Sequence, residues 1–150
     1  MERISIAVPV FNGNEKKYLN ECIDTGWVSA NGRFLNDFQE QFAKFCGSKY
    51  ALACSNGTVT LHLILKALGI GAGDEVIMPT LTYVATANAV VECGATPVFV
   101  DSDINTWNVD SSKIEAAITP RTKAIIPVHL YGLSCDMTAI MSISKRFCIP

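Results

Sequence analysis

The stretch Ala51-Leu-Ala-Cys-Ser-Asn-Gly-Thr-Val-Thr-Leu-His-Leu-Ile-Leu-Lys-Ala-Leu-Gly69 contains the pattern that decides the fold. It predicts a short buried strand, a turn over residues 55–58 and an apolar helix. The first N–H groups of a helix have no partner within it and lie at the positive end of its dipole. A phosphate bound there would accept hydrogen bonds from these groups, and its negative charge would interact favourably with the dipole. Gly57 would allow a close approach because it has no Cβ. The polar residues of the turn are also good helix caps, so ordinary capping is the alternative interpretation.

Length and composition indicate one domain core. The chain has 150 residues, of which 49% are hydrophobic and 17% charged. Such a low fraction of charged residues is typical of a parallel sheet covered by helices. The net charge of -2, without a basic run, argues against nucleic acid or an anionic membrane surface as the partner. No apolar run reaches the ~18 residues of a membrane span, and the N-terminus does not resemble a signal peptide. Six cysteines without a C-x-x-C pair predict free thiols in a reducing cytoplasm.

Two predicted helices precede a strict alternation of strands and helices. The helices are expected over residues 14–24, 34–46, 58–68, 82–93, 110–118 and 136–147, and the strands over residues 50–54, 75–78, 97–100 and 123–130. This order is typical of an α/β fold with a mostly parallel sheet flanked by helices. The aromatic face of helix 34–46 and the nearly continuous apolar surface of helix 58–68 predict burial.

Ligands of such sheets bind beyond the carboxyl ends of the strands. The loops that start at Cys54, Pro79, Asp101 and His129 are therefore the candidate site.

Several single residues in these loops have two interpretations each. Tyr83 follows a strand and could cover a planar ligand, or it could be an ordinary core or surface tyrosine. His129 could stack or donate a proton, or it could be a hydrogen-bonded structural residue. Asp101 and Asp103 are too few for a metal site, so a turn or a cap is favoured and no metal is predicted.

A series of motifs in fixed order is more specific than any of these residues alone. They are Gly26-Trp-Val-Ser29, Ser55-Asn-Gly-Thr-Val-Thr-Leu-His62, Gly71-Ala-Gly-Asp-Glu-Val-Ile-Met-Pro-Thr-Leu-Thr-Tyr83, Gly94-Ala-Thr-Pro-Val-Phe-Val-Asp101, Ile118-Thr-Pro-Arg-Thr-Lys-Ala-Ile-Ile-Pro-Val-His-Leu-Tyr-Gly132 and Cys135-Asp-Met137. Together they closely resemble the DegT/DnrJ/EryC1/StrS family of sugar aminotransferases, over essentially the whole chain.

The resemblance implies an enzyme of the fold-type-I class that depends on pyridoxal 5'-phosphate. Such an enzyme moves an amino group from glutamate to a keto group on a nucleotide-linked sugar. Within the family, the motifs are most similar to those of enzymes that aminate 4-keto deoxysugars, as in perosamine-type sugar biosynthesis. A homodimer is implied for the complete enzyme.

The resemblance also implies roles for particular residues. Gly57 and Thr58 would hold the cofactor phosphate through backbone N–H groups, and Thr58 also through its hydroxyl. Tyr83 matches the family aromatic residue that stacks on the pyridine ring, and His129 lies near the cofactor pocket. The loop over residues 27–32 would line the substrate side through three residues, Trp27, Ser29 and Asn31.

The catalytic residues of the family are expected beyond residue 150. None of the eight lysines lies in a motif that matches the Schiff-base lysine, and the acidic partner of the pyridinium nitrogen is missing too. Residues 1–150 are therefore expected to form the N-terminal part of the large cofactor-binding domain, without the lysine region and the C-terminal small domain, and to be inactive alone. Two alternatives stay open: a nucleotide-sugar dehydratase of the same family, in which histidine replaces that lysine, and a non-catalytic module that binds a phosphate ligand or a partner.

Overall fold

The computed structural model describes residues 7–150, and the chain divides into two compact units, Met1–Ala53 and Cys54–Pro150. The described part of the first unit contains two helices, α1 (Glu15–Thr25) and α2 (Arg33–Cys46). Each ends at a glycine with left-handed backbone, Gly26 at φ 73° and Gly47 at φ 65°, as expected where a helix is stopped at its C-terminus. Both helices predicted for this region are confirmed to within one residue.

Most of the aromatic face of α2 is exposed, with only Phe34 and Leu35 half-buried, so the prediction that it forms a core is wrong. Phe38 and Phe42 stack on each other at 5.6 Å between ring centroids, yet about half of each side chain is exposed, and Phe45 is 87% exposed. Within α2, only Ala43 is buried. The described part of this unit has two helices and no sheet, which is too little surface to cover an apolar helix face.

The strand predicted over residues 50–54 does not form. The backbone N–H of Ala53 donates instead to the side-chain Oε1 of Gln39, at 3.0 Å. A backbone donor that is paired with a side chain is not available for a strand ladder.

The second unit is an α/β unit built on three parallel strands. Its elements are α3 (Gly57–Ala67), β1 (Glu75–Pro79), α4 (Ala85–Glu92), β2 (Thr96–Val100), α5 (Ser111–Ile114) with a 3₁₀ turn (Glu115–Ala117), β3 (Thr122–Ile125), a second 3₁₀ turn (Leu130–Gly132) and α6 (Met137–Phe147). The strand order is β2-β1-β3, and both pairings are parallel. The predicted parallel sheet flanked by helices is confirmed.

The central strand β1 is buried along its whole length and contributes side chains to two hydrophobic cores. Val76 and Met78 belong to the core that includes residues of α3 and α4. Ile77, between them, belongs to the core that includes Ile114 of α5 and Ile140 of α6. Successive side chains of a strand point to opposite faces, so helices cover both sides of the sheet.

The amino end of β1 carries a buried charge with two partners. Glu75 is 6% exposed and accepts hydrogen bonds from the Thr119 hydroxyl and the Arg121 guanidinium. The hydrogen bond from Thr119, followed by the hydrogen bond and charge of Arg121, lowers the pKa of Glu75. Glu75 thus joins β1 to the segment that leads into β3.

Two other elements differ from the expectation. β3 ends at Ile125, short of residue 130, because Pro127 has no N–H for a ladder. In α3 only Leu65 is buried, whereas Leu63 and Ile64 are 43% and 51% exposed. Only one side of α3 packs on α4 and the sheet, so the prediction of deep burial all round is wrong.

Across the described residues 7–150, no helix is both long enough and apolar enough to cross a membrane.

Candidate functional site

A cleft of about 660 Å³ opens at the carboxyl edge of the sheet in the second unit. Its walls come from the first turns of α3, from the residues that follow β1 and from the residues that follow β3. These are Gly57, Thr58, Thr60 and Leu61, then Thr82, Tyr83, Ala85 and Thr86, then Val128, His129, Leu130 and Tyr131. The cleft thus brings together four residues that the sequence singled out separately: Gly57, Thr58, Tyr83 and His129.

A larger cavity, of about 870 Å³, lies around residues 118–123 and 147–150. It includes Leu68, Asp74 and Thr122, which lie at the amino ends of the strands, and the Asp74 carboxylate there already accepts the Gly71 N–H at 2.9 Å. Ligands of parallel sheets bind at the other edge, so the smaller cleft is the better candidate.

The N-terminus of α3 presents two backbone donors to the cleft. Asn56 is the N-cap, and its side-chain oxygen accepts the Val59 N–H at 3.0 Å. The first main-chain bond within the helix is from the Thr60 N–H to the Asn56 carbonyl, at 3.1 Å. Within the part of the chain that the structure describes, the N–H groups of Gly57 and Thr58 have no acceptor. Two donors at the positive end of a helix are suited to a phosphate.

Gly57 is not required by the fold itself. It lies inside α3, outside the set of glycines with left-handed backbone, and a Cβ added to it would meet nothing within 4 Å. Glycine costs a helix about 0.5–1 kcal/mol relative to alanine. A glycine that neither backbone geometry nor packing demands is consistent with a ligand that approaches the backbone closely.

Tyr83 stands at the edge of the cleft, just before α4. It is 78% exposed, so it is not a core tyrosine. Its carbonyl accepts the Thr86 N–H at 3.1 Å, and the hydroxyls of Thr82 and Thr86 lie 3.0 Å apart beside it. The helix begins at Ala85, three residues later than predicted, and this leaves Tyr83 in the loop.

His129 is oriented by one hydrogen bond. Its Nδ1 accepts the Cys135 N–H at 3.1 Å, so the proton of the neutral ring is on Nε2, and Nε2 is the nitrogen left for a ligand. The Cys135 thiol donates to the Val128 carbonyl at 3.1 Å. Burial raises the pKa of Cys135, which favours the thiol form that donates this hydrogen bond.

Of the acidic pair after β2, Asp103 holds a turn, which is the interpretation favoured from the sequence. The Asp103 carboxylate accepts the N–H groups of Asn105 and Thr106 and the Thr106 hydroxyl. These bonds, first those from Thr106, lower the pKa of Asp103. Asp101 lies 3.7 Å from the Lys113 ammonium. Among residues 7–150, no group of three or more histidine, cysteine or acidic residues is placed to hold a metal.

Trp27, Ser29 and Asn31 are exposed residues of the first unit, in the loop between α1 and α2. All residues that line the cleft belong to the second unit.

Some of the cleft residues were missed by the sequence analysis. Thr60, Leu61 and Thr86 each lie three residues, about one helical turn, after the predicted site residues Gly57, Thr58 and Tyr83, and helical spacing could have found them. Tyr131 lies two residues from His129 in the same motif and is 85% exposed at the cleft. An exposed tyrosine in a loop at the carboxyl edge of a sheet was the available signal.

The fold and the cleft together define the class of protein. The chain belongs to the DegT/DnrJ/EryC1/StrS aminotransferase family, whose sequence profile matches residues 9–150. It is 58% identical over 146 residues to the GDP-perosamine synthase of Caulobacter vibrioides, covering 97% of this chain and 39% of that protein. It is 52% identical over 145 residues to the GDP-perosamine synthase of Escherichia coli O157:H7, covering 97% of this chain and 40% of that one.

Solved structures carry the same fold. NtdA from Bacillus subtilis, solved with bound pyridoxamine phosphate, superposes with a TM-score of 0.86 at 36% identity, covering 98% of this chain and 36% of that chain. Pyridoxal phosphate is the cofactor of the family. The two helix N–H groups that have no acceptor in the described structure and the open space beside Gly57 fit its phosphate, and the ring of Tyr83 fits its planar ring. The chain spans about two fifths of the length of the relatives it matches.

Proposed function

We propose that residues 1–150 form the N-terminal part of the large, cofactor-binding domain of a pyridoxal phosphate-dependent sugar aminotransferase. Its reaction would move an amino group from glutamate to a 4-keto nucleotide-linked deoxysugar, as in perosamine-type sugar biosynthesis. Two GDP-perosamine synthases, whose alignments cover 97% of the chain, support this substrate class. The observation that carries the proposal is that the N–H groups of Gly57 and Thr58, unpaired within residues 7–150, lie in one cleft with Tyr83.

In this proposal Gly57 and Thr58 bind the cofactor phosphate. Their N–H groups donate to it, the Thr58 hydroxyl adds a third donor, and the dipole of α3 stabilises its charge. No acidic residue is among those that line the cleft in the described structure, so nothing there repels a dianion. Among the described residues no lysine or arginine lines the cleft either, so the helix N-terminus and the Thr58 hydroxyl supply the attraction there.

The remaining walls orient the ring of the cofactor. Bound pyridoxal phosphate supplies the electron sink that amino-group transfer requires. Tyr83 covers one face of its ring, and Leu61, Val128 and Leu130 provide apolar surface that excludes water. His129 has Nε2 available for the ligand, because its Nδ1 already accepts the Cys135 N–H.

The groups that make the cofactor reactive are proposed to lie outside residues 1–150. Within the described range, neither a lysine nor an acid lines the cleft. The lysine that binds the cofactor covalently and the acidic partner of its ring nitrogen are thus assigned to the rest of the enzyme, and these 150 residues alone should not transfer amino groups.

The substrate side and the assembly are proposed from the family resemblance. Trp27, Ser29 and Asn31 belong to the motif that begins at Gly26 and are assigned to the nucleotide sugar. The complete enzyme is proposed to be a homodimer. All six cysteines are free thiols in the structure, which is compatible with the proposed cytoplasmic location.

The test is to express the complete reading frame that contains residues 1–150 and to assay it with glutamate and a GDP-linked 4-keto deoxysugar. We expect formation of 2-oxoglutarate and an amino sugar in equal amounts, and a lysine in the family context beyond codon 150. A histidine at that position, with loss of a hydroxyl from the sugar and no amination, would favour the dehydratase. A stop codon directly after codon 150 would contradict both.

A further inference from the structure

A short hairpin between β2 and α5 places one buried amide against the segment that follows β3. An isolated antiparallel bridge joins Ser102 to Val109, and the Asp103 N–H donates to the Asn108 carbonyl at 2.8 Å. Trp107, directly after the turn over residues 104–106, has a left-handed backbone at φ 62°, and its N–H donates to the Asp103 carbonyl at 2.8 Å. The hairpin therefore holds the next residue, Asn108, which is 3% exposed.

Both halves of the Asn108 amide bind the segment that follows β3. Its Oδ1 accepts the Leu130 N–H at 2.9 Å, and its Nδ2 donates to the Leu133 carbonyl at 3.0 Å. Only one orientation of the amide satisfies a donor on one side and an acceptor on the other. The two bonds lie on either side of Tyr131 and Gly132.

The two residues between these hydrogen bonds have an unfavourable backbone conformation. Tyr131 has φ 51° and Gly132 has φ 87°, so two consecutive residues are left-handed. Such a conformation is unfavourable for a tyrosine and persists only where the surroundings fix it. A second link joins the same two segments, since the rings of Trp107 and Tyr131 meet edge to face at 6.2 Å between centroids.

We propose that Asn108 is a positioning residue of the cofactor cleft. It fixes the 129–133 segment, and through it the places of His129, Leu130 and Tyr131 in the cleft wall. Asn108 itself is not among the residues that line the cleft. The inference rests on the proposed function, because it takes pyridoxal phosphate as the ligand.

The test uses the complete protein and pyridoxal phosphate as the probe, with the dissociation constant measured by absorbance and visible circular dichroism. Asn108→Asp keeps the acceptor for Leu130 but turns an oxygen toward the Leu133 carbonyl in place of a donor. Because a buried carbonyl is then left unpaired, we expect the dissociation constant to rise about tenfold. Hydrogen exchange at the Leu130 and Leu133 amides should become faster in the same variant.

Two controls separate positioning from charge and from loss of stability. Asn105→Asp makes the same chemical change at an exposed residue of the same hairpin. Ile114→Ala removes a fully buried core side chain and should lower stability without moving the dissociation constant. The ratio of the dissociation constants of Asn108→Asp and Asn105→Asp should fall from about pH 8 to about pH 5.5, since a buried carboxyl that gains a proton becomes a donor again.

The outcomes distinguish this inference from the proposed function. Wild-type protein that shows no saturable pyridoxal phosphate binding contradicts the proposed function and the inference with it. Wild-type protein that binds, with Asn108→Asp as tight as both controls, overturns the inference alone. If Asn108→Asp does not fold, hydrogen exchange of the wild-type protein decides: a Leu130 amide that exchanges as fast as an exposed loop amide overturns the inference.

Discussion

The side-chain oxygen of Asn56 accepts a hydrogen bond from the Val59 N–H at 3.0 Å, and this contact determines which donors at the start of α3 remain for a ligand. A helix begins with several N–H groups that lack partners within it. Asn56 accepts the Val59 N–H, and among the described residues no group accepts the N–H of Gly57 or Thr58 at the cleft. Capping and phosphate binding, which compete as interpretations of the sequence, are therefore compatible in the structure, because they use different N–H groups.

Asn56→Asp should separate the two roles. The carboxylate can still cap Val59 and adds a favourable interaction of about 0.3–1 kcal/mol with the helix dipole, so stability should be equal or higher. The same charge lies near the proposed phosphate and should weaken pyridoxal phosphate binding about tenfold. Urea denaturation and a binding titration measure the two effects. Asn105→Asp is the control for charge, and equal affinities of the two variants would argue against a phosphate at this helix.

Gly57→Ala should also stabilise the protein and weaken binding. Alanine is favoured over glycine in a helix by about 0.5–1 kcal/mol, and the new Cβ meets no protein atom within 4 Å. The methyl group would occupy the space through which the phosphate approaches, so the dissociation constant should rise about tenfold. Val59→Ala, in the same helical turn but outside the cleft lining, should leave affinity unchanged. An unchanged affinity for Gly57→Ala would mean that the ligand does not contact this backbone.

Much of the second unit could be predicted from the sequence because local signals agreed with one another. Gly94 ends the segment of α4, Asp136 caps α6 through the Ala139 N–H, and β1 is an uninterrupted apolar run after Glu75. The alternation of strand and helix then leaves few topologies for a parallel sheet. The loops of the cleft follow from that topology.

The features that could not be predicted depend on contacts between residues far apart in the chain, and hydrophobic periodicity does not reveal such contacts. Ala53 has a strand-like neighbourhood, yet Gln39, fourteen residues earlier, takes its N–H. Phe45 has helical spacing typical of a core but is 87% exposed. Asn108 is one polar residue between Trp107 and Val109, and nothing local indicates that it binds Leu130 and Leu133.

Substitution of Tyr83 should change the affinity for pyridoxal phosphate and not the free energy of unfolding, because 78% of the residue is exposed. Tyr83→Phe retains a ring that can stack, so pyridoxal phosphate affinity and the visible circular dichroism of the bound cofactor should change little. Tyr83→Ala should weaken binding by roughly 2- to 13-fold, in line with about 0.5–1.5 kcal/mol for an aromatic contact. Tyr50→Ala, at a tyrosine that is 76% exposed in the first unit, is the matched control. Equal losses in Tyr83→Phe and Tyr83→Ala would indicate a role for the hydroxyl in place of stacking.

Glu75 should make the folded protein sensitive to acid. Its pKa in the folded state is lowered from 4.5, chiefly by the Thr119 hydrogen bond and then by Arg121. A carboxylate with a depressed pKa stabilises the fold above the pKa of the unfolded chain, and this stabilisation is lost as pH falls through the folded-state pKa. Below about pH 4.5 the urea midpoint of the wild type should therefore fall more steeply than that of Glu75→Gln. Glu40→Gln, at an exposed glutamate, should follow the wild type, and parallel curves for wild type and Glu75→Gln would contradict the assignment.

The most direct test of the account is the response of two backbone amides to the phosphate group of the cofactor. Amide proton and nitrogen shifts of the complete protein would be followed during titration with pyridoxal phosphate and, in parallel, with pyridoxal, which lacks the phosphate. We predict large downfield shifts of the Gly57 and Thr58 amide protons with pyridoxal phosphate, and small ones with pyridoxal. Saturable binding of pyridoxal phosphate that leaves both amides unmoved would contradict the account.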